Sequence, residues 1–95
     1  IQIFTNTGAF IEQRTDVGFP YIMLLDAQEN LWVTNARHEN ISQYDPSGAL
    51  IRRYQAEGRL AGQFKSVHGI ALDGKAHIIV TEIFNWRAQR FRVSE

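Results

Sequence analysis

Apolar residues in this chain come in short bursts, each closed by a polar, turn-forming cluster, and none repeats at the three-and-four spacing of a helix. Tyr21 to Leu25 is an apolar run ended by Asp26 and the turn-like Ala27-Gln28-Glu29-Asn30. Leu31 to Thr34 is aromatic and β-branched, and Ile41 to Tyr44 alternates apolar and polar positions. Asp45-Pro46-Ser47-Gly48 carries the type I turn pattern, with proline second and glycine fourth, and Leu50 to Tyr54 follows as a further strand. The same succession recurs at His68 to Leu72, His77 to Thr81 and Ala88 to Val93. Short strands joined by tight turns predict an antiparallel, all-β chain.

The recurrence is ungapped. Leu25, Asp26, Leu31, Val33-Thr34 and Tyr44 reappear as Leu72, Asp73, Ile78, Val80-Thr81 and Phe91, each 47 residues later, and Tyr21 meets His68 on the same offset. A partial copy opens the chain: Ile1, Phe4, Gly8-Ala9 and Ile11 align with Ile41, Tyr44, Gly48-Ala49 and Ile51 at an offset of 40. The difference falls between Ile11 and Phe19, where a connecting loop tolerates a change of length. Four short strands in such a period are the blade unit of a β-propeller. The expected division is 1–13 as the end of one blade, 19–54 as a full four-stranded antiparallel blade, and 67–93 as most of a further blade, all within a partial propeller domain. A small β-sandwich is the competing architecture, but it has no need of a fixed repeat.

Composition narrows the partners. Ten basic residues balance ten acidic ones, so nothing in the net charge favours nucleic acid or an anionic membrane. No apolar run is long enough to span a bilayer, and the N-terminal residues do not read as a signal peptide. The absence of cysteine excludes disulfides, thiolate metal ligands and a cysteine nucleophile, and leaves open the compartment, a secreted or periplasmic location included. The chain opens on Ile1 rather than methionine, and blades bury their faces against one another. The expectation is therefore a piece of a longer propeller, closed by further blades of the same chain or by self-association.

Gly18-Phe19-Pro20-Tyr21-Ile22-Met23-Leu24-Leu25-Asp26, Asn30-Leu31-Trp32-Val33-Thr34-Asn35 and Asn40-Ile41-Ser42-Gln43-Tyr44 resemble successive parts of the NHL repeat. Gly62-Gln63-Phe64, His68-Gly69-Ile70-Ala71-Leu72-Asp73, Val80-Thr81-Glu82 and Arg87-Ala88-Gln89-Arg90-Phe91 resemble it more closely still. The resemblance covers nearly the whole chain and implies a propeller, six-bladed in its commonest form. Its motifs are chiefly structural. Asp26 and Asp73 are expected to close the turn after the innermost strand by accepting backbone N–H groups. Gly69 is expected where that strand is crowded.

A histidine opening the innermost strand is similar to bacterial relatives of peptidyl-α-hydroxyglycine α-amidating lyase. In that group, histidines from several blades converge at the channel mouth on zinc, and the ring of strand starts suits a metal with one open position. His68 is the candidate metal ligand, with zinc or calcium as the implied ion. Its counterpart Tyr21 is no ligand of that kind, Phe84 stands where the lyase has a proposed tyrosine base, and Gly69 replaces an aspartate. The other reading of His68 is a channel-lining imidazole hydrogen-bonded to the neighbouring blade. His38 and His77 have no ligand partner at a metal spacing.

Tyr21, Trp86 and Arg87 are candidate binding residues, because exposed Trp and Arg are common recognition anchors. Arg87, like Asn40 at the equivalent place, also suits a hairpin or inter-blade contact, and Trp86 suits packing on an adjacent blade. Trp32, inside a strand, is expected in the core. The functional expectation is a binding or scaffold module that takes a protein, peptide or small molecule at one face of the propeller. A metal-dependent lyase or hydrolase, with most of its site on other blades, is the alternative.

Overall fold

The structure, a computed structural model, describes residues 1–35, 38–74 and 76–93. Those residues form nine strands and no helix: β1 (Gln2–Phe4), β2 (Phe10–Gln13), β3 (Pro20–Leu25), β4 (Leu31–Asn35), β5 (Asn40–Tyr44), β6 (Leu50–Gln55), β7 (Val67–Leu72), β8 (His77–Glu82) and β9 (Arg87–Arg92). They pair antiparallel with their chain neighbours into three sheets: β1-β2, β3-β4-β5-β6 and β7-β8-β9. Among the described residues no helix is long and apolar enough to cross a membrane. The expected strands coincide with the observed ones to within a residue or so at their ends.

The repeat holds hydrogen bond by hydrogen bond. Asp45 Oδ1 accepts from the N–H groups of Ser47 and Ala49 at 2.9 and 3.0 Å, and Gly48 N–H donates to Asp45 O at 2.9 Å. Forty residues earlier, Ala9 N–H donates to Thr5 Oγ1 and Gly8 N–H to Thr5 O, both at 3.0 Å. A short hydroxyl or carboxylate side chain thus caps both turns. The glycine supplies the left-handed step, with φ of 93° at Gly48.

Packing follows from strand alternation. Trp32 and Ile41 of the middle sheet meet Phe64, Val67, Ile78 and Val80, which come from the third sheet and the segment before it. Val33 and Tyr44 point the other way, onto Val17, Ile1 and Leu31. The central strands of the middle sheet, β4 and β5, are therefore covered on both faces, and every residue of β5 is buried. The outer sheets each leave one face to solvent, where Phe4, Phe10 and Ile11 of the first sheet are exposed.

Burying both faces of β4 and β5 takes polar side chains into the interior, and they are bonded there. Thr34 Oγ1 accepts from Ile22 N–H at 3.0 Å, Ser42 Oγ donates to Asn40 Oδ1 at 3.3 Å, and Arg53 Nε donates to Ser42 Oγ at 2.9 Å. Gly69 in β7 is crowded by its own sheet: a Cβ there would stand 2.6 Å from Thr81 Oγ1, whose hydroxyl donates to Gly69 O at 3.3 Å.

The two tryptophans separate core from surface. Trp32 is 2% exposed and Trp86 is 92% exposed. Trp32→Ala is expected to lower stability by about 3–5 kcal/mol, a large part of what holds a small domain together. Trp86→Ala should change it by less than about 0.5 kcal/mol. Denaturant unfolding of both variants checks this, and equal losses would contradict the packing described.

Candidate functional site

The first strands of the two larger sheets, β3 and β7, lie side by side. Their starts bring together two residues that the repeat makes equivalent. The Tyr21 hydroxyl and His68 Nε2 are 3.2 Å apart, and the rings meet edge to face with centroids 4.7 Å apart. Both side chains are exposed. Residues 47 positions apart touch in this way because β3 and β7 lie against each other with their starts at the same end.

Strand pairing places several other groups at the same end. Pro20 pairs with Asn35 and Val67 with Glu82, so the ends of β4 and β8 lie beside Tyr21 and His68. In the turn after β8, Asn85 points inward and donates to Gly58 O at 2.9 Å and to Glu82 Oε1 at 2.7 Å. Ile83, Phe84 and Trp86 are left exposed, with Trp86 in the left-handed region at φ 55°.

Glu82 is the hub of this end. Its side chain is 0% exposed and pairs with Arg87 Nε at 2.8 Å. It also accepts from Lys65 N–H at 3.0 Å and from Gln89 Nε2 at 2.6 Å. Arg87 donates onward to the carbonyls of Arg59, Leu60 and Gln63 at 2.7 to 2.9 Å, so its guanidinium holds the connection between the second and third sheets. Burial alone would raise the Glu82 pKa. The bonds from Arg87, Asn85, Gln89 and the Lys65 amide outweigh it and leave the carboxyl below its ordinary value.

Asn35, the equivalent of Glu82, does the same work one sheet earlier. Its Oδ1 accepts from Phe19 N–H at 3.3 Å and its Nδ2 donates to Val17 O at 3.4 Å. His38 is exposed, and its N–H also reaches Asn35 Oδ1. The exchange of Asn35 for Glu82 preserves a clamp on the incoming connection.

Asp26 and Asp73 lie at the opposite end. Asp26 Oδ1 accepts from the N–H groups of Gln28 and Asn30, both at 2.9 Å. Its Oδ2 accepts from Trp32 Nε1 at 3.1 Å and from Gln43 Nε2 at 2.9 Å. Desolvation opposes these bonds, which nonetheless hold its pKa below the ordinary value. At the next turn His77 takes the place of Asn30: its N–H donates to Asp73 Oδ1 at 3.2 Å and its Nδ1 lies 3.1 Å from Asp73 Oδ2. A cleft of about 400 Å³ opens between the sheets here, lined in part by Asp26, Asn30, Gln43, Arg52 and His77.

Among the described residues, no three His, Asp or Glu side chains gather as a metal cluster. The Nε2 of His68 already faces a tyrosine hydroxyl, and the Asp26 carboxylate is filled by N–H donors. Of the sequence candidates, the structure brings Tyr21 and His68 into contact, leaves Trp86 free at the same end, and commits Arg87 to backbone carbonyls. Sequence reasoning missed the Glu82–Asn85–Arg87–Gln89 cluster. Its one legible sign was the unlike pair Asn35 and Glu82 at a position where the repeat otherwise holds.

The chain matches no protein-family model and no curated protein.

Because Glu82 is held below its ordinary pKa, its stabilising effect is complete above the ordinary glutamate value, about 4.3, and is lost as pH falls through the folded value. Thermal unfolding should therefore show a falling Tm below that pH. Glu82→Gln should lower Tm at neutral pH and flatten the acid side of the profile. An unchanged slope in the variant would remove Glu82 as its source.

Proposed function

We propose that the chain is part of an NHL-type β-propeller, with 1–13, 19–54 and 67–93 as its blade portions, and that it serves as a binding module. The ligand site in this reading is the end of the sheets where β3 and β7 begin. The observation that carries it is the contact of Tyr21 with His68, equivalent residues of successive repeats meeting at the first strands. On a propeller that position borders the central channel. Two exposed aromatic rings with a hydroxyl and an imidazole offer apolar area together with a donor and an acceptor.

Trp86, Phe84 and Ile83 extend the apolar surface at the same end, while the turn carrying them is pinned from beneath by Asn85 and Arg87. A rigid aromatic surface loses little entropy on binding. With no net charge on the chain, the ligand class favoured is a peptide segment of a protein partner with apolar side chains. Amidating-lyase chemistry gains no support beyond His68 itself.

Selection of a displayed random peptide library on the chain tests this reading. Selected peptides should lose at least about tenfold in affinity, roughly 1.4 kcal/mol, with Tyr21→Ala or His68→Ala. They should be unaffected by Ser47→Ala at the opposite end. Peptides indifferent to Tyr21, His68 and Trp86 would overturn it.

A further inference from the structure

The cleft of about 400 Å³ between the middle and third sheets lies at the end where Asp26 and Asp73 close their turns. That volume falls in the range of about 300–1,000 Å³ usual for small-molecule sites. Trp32, Gln43 and Arg52 line it from the middle sheet, paired in register across β4, β5 and β6. Leu72 and His77 line it from the third sheet. The two sheets pack on each other through Trp32, Ile41, Ile78 and Val80, so the cleft belongs to their junction and not to an outer sheet face.

Gln43 gives this cleft an unmet demand. Its Nε2 donates to Asp26 Oδ2 at 2.9 Å, and the reversed amide would set oxygen against carboxylate oxygen. Asp26 is itself fixed by Gln28, Asn30 and Trp32. Gln43 is 6% exposed, and its remaining polar atom, Oε1, is buried with no hydrogen-bond partner. A buried acceptor held in one orientation and left unpaired calls for a donor.

We propose that the cleft is a second binding site, for a neutral polyhydroxylated ligand such as a single sugar or polyol unit. A hydroxyl group both donates and accepts, which suits an acceptor at Gln43 Oε1 beside the N–H groups of Arg52. The C–H face of a sugar ring suits Leu72 and Val93, which also line the cleft. Asp26 and Arg52 put opposite charges on one wall, which leaves no net charge there to draw in an ion. Water alone would satisfy Gln43 but gains nothing from the apolar lining. The site lies at the other end of β3 and β7 from Tyr21 and His68, so it stands or falls independently of the peptide reading above.

The test is titration of the chain with glucose, galactose, mannose and myo-inositol, read by calorimetry and by tryptophan emission, with circular dichroism alongside. Trp86→Phe leaves Trp32, in the cleft wall, as the one tryptophan of the chain. At least one of the four probes should bind saturably in the millimolar range and shift the Trp32 emission. Gln43→Met removes the acceptor at similar volume and should weaken binding by about tenfold or more. Ala27→Phe, on the exposed lip of the cleft, should abolish binding without touching the core. It decides the matter should the methionine variant lose its strand signal. No saturable response to any of the four, as for a cleft that holds water only, would overturn the proposal, and so would binding that survives both substitutions. Binding of glucuronate or glucosamine in place of the neutral probes would also overturn it, because the occupant would then be an ion.

Discussion

Two-sided burial of β4 and β5, the central strands of the middle sheet, is the constraint on which the rest of this structure depends. Once β4 and β5 are covered on both faces, their polar residues have no water to turn to, and each needs a partner in the fold. That requirement accounts for much of the polar architecture. Thr34 bonds β3, Ser42 bonds Asn40 and Arg53, and Gln43 reaches back with Trp32 to Asp26. Asp26 thereby joins a turn cap to the core, because the carboxylate that closes the β3–β4 turn also satisfies the indole N–H of the largest buried side chain.

The same logic divides the two ends of the molecule. At one end Asp26 and Asp73 are occupied in holding turns. At the other, Asn35 and Glu82 anchor the connections that enter each sheet, and Arg87 grips three carbonyls of the longer one. Charge is spent there on positioning backbone. Displayed there, besides the exposed Lys65–Glu57 ion pair, are aromatic rings: Tyr21 with His68, and Phe84 with Trp86.

Strand positions were legible because burial and turn chemistry alternate over few residues. The bursts at Tyr21 to Leu25 and Ile41 to Tyr44, and the Asp45-Pro46-Ser47-Gly48 turn, each carry their structure locally. The contact between Tyr21 and His68 was half legible: the offset made them equivalent, while their meeting depends on how two sheets sit together. The Glu82 cluster was hidden for the same reason, since Lys65 and the Arg59 to Gln63 carbonyls reach it through a loop whose path no local pattern sets. Arg87 shows the consequence. By residue type it suits a recognition surface, and by its partners it belongs to the scaffold.

Hydrogen exchange resolved by residue tests the two-sided burial most directly. Amides of β4 and β5, enclosed by sheets on both sides, should exchange slowest, and those of β1 and β2 should exchange well before them. Amides of β1 and β2 that outlast those of β4 and β5 would contradict the account.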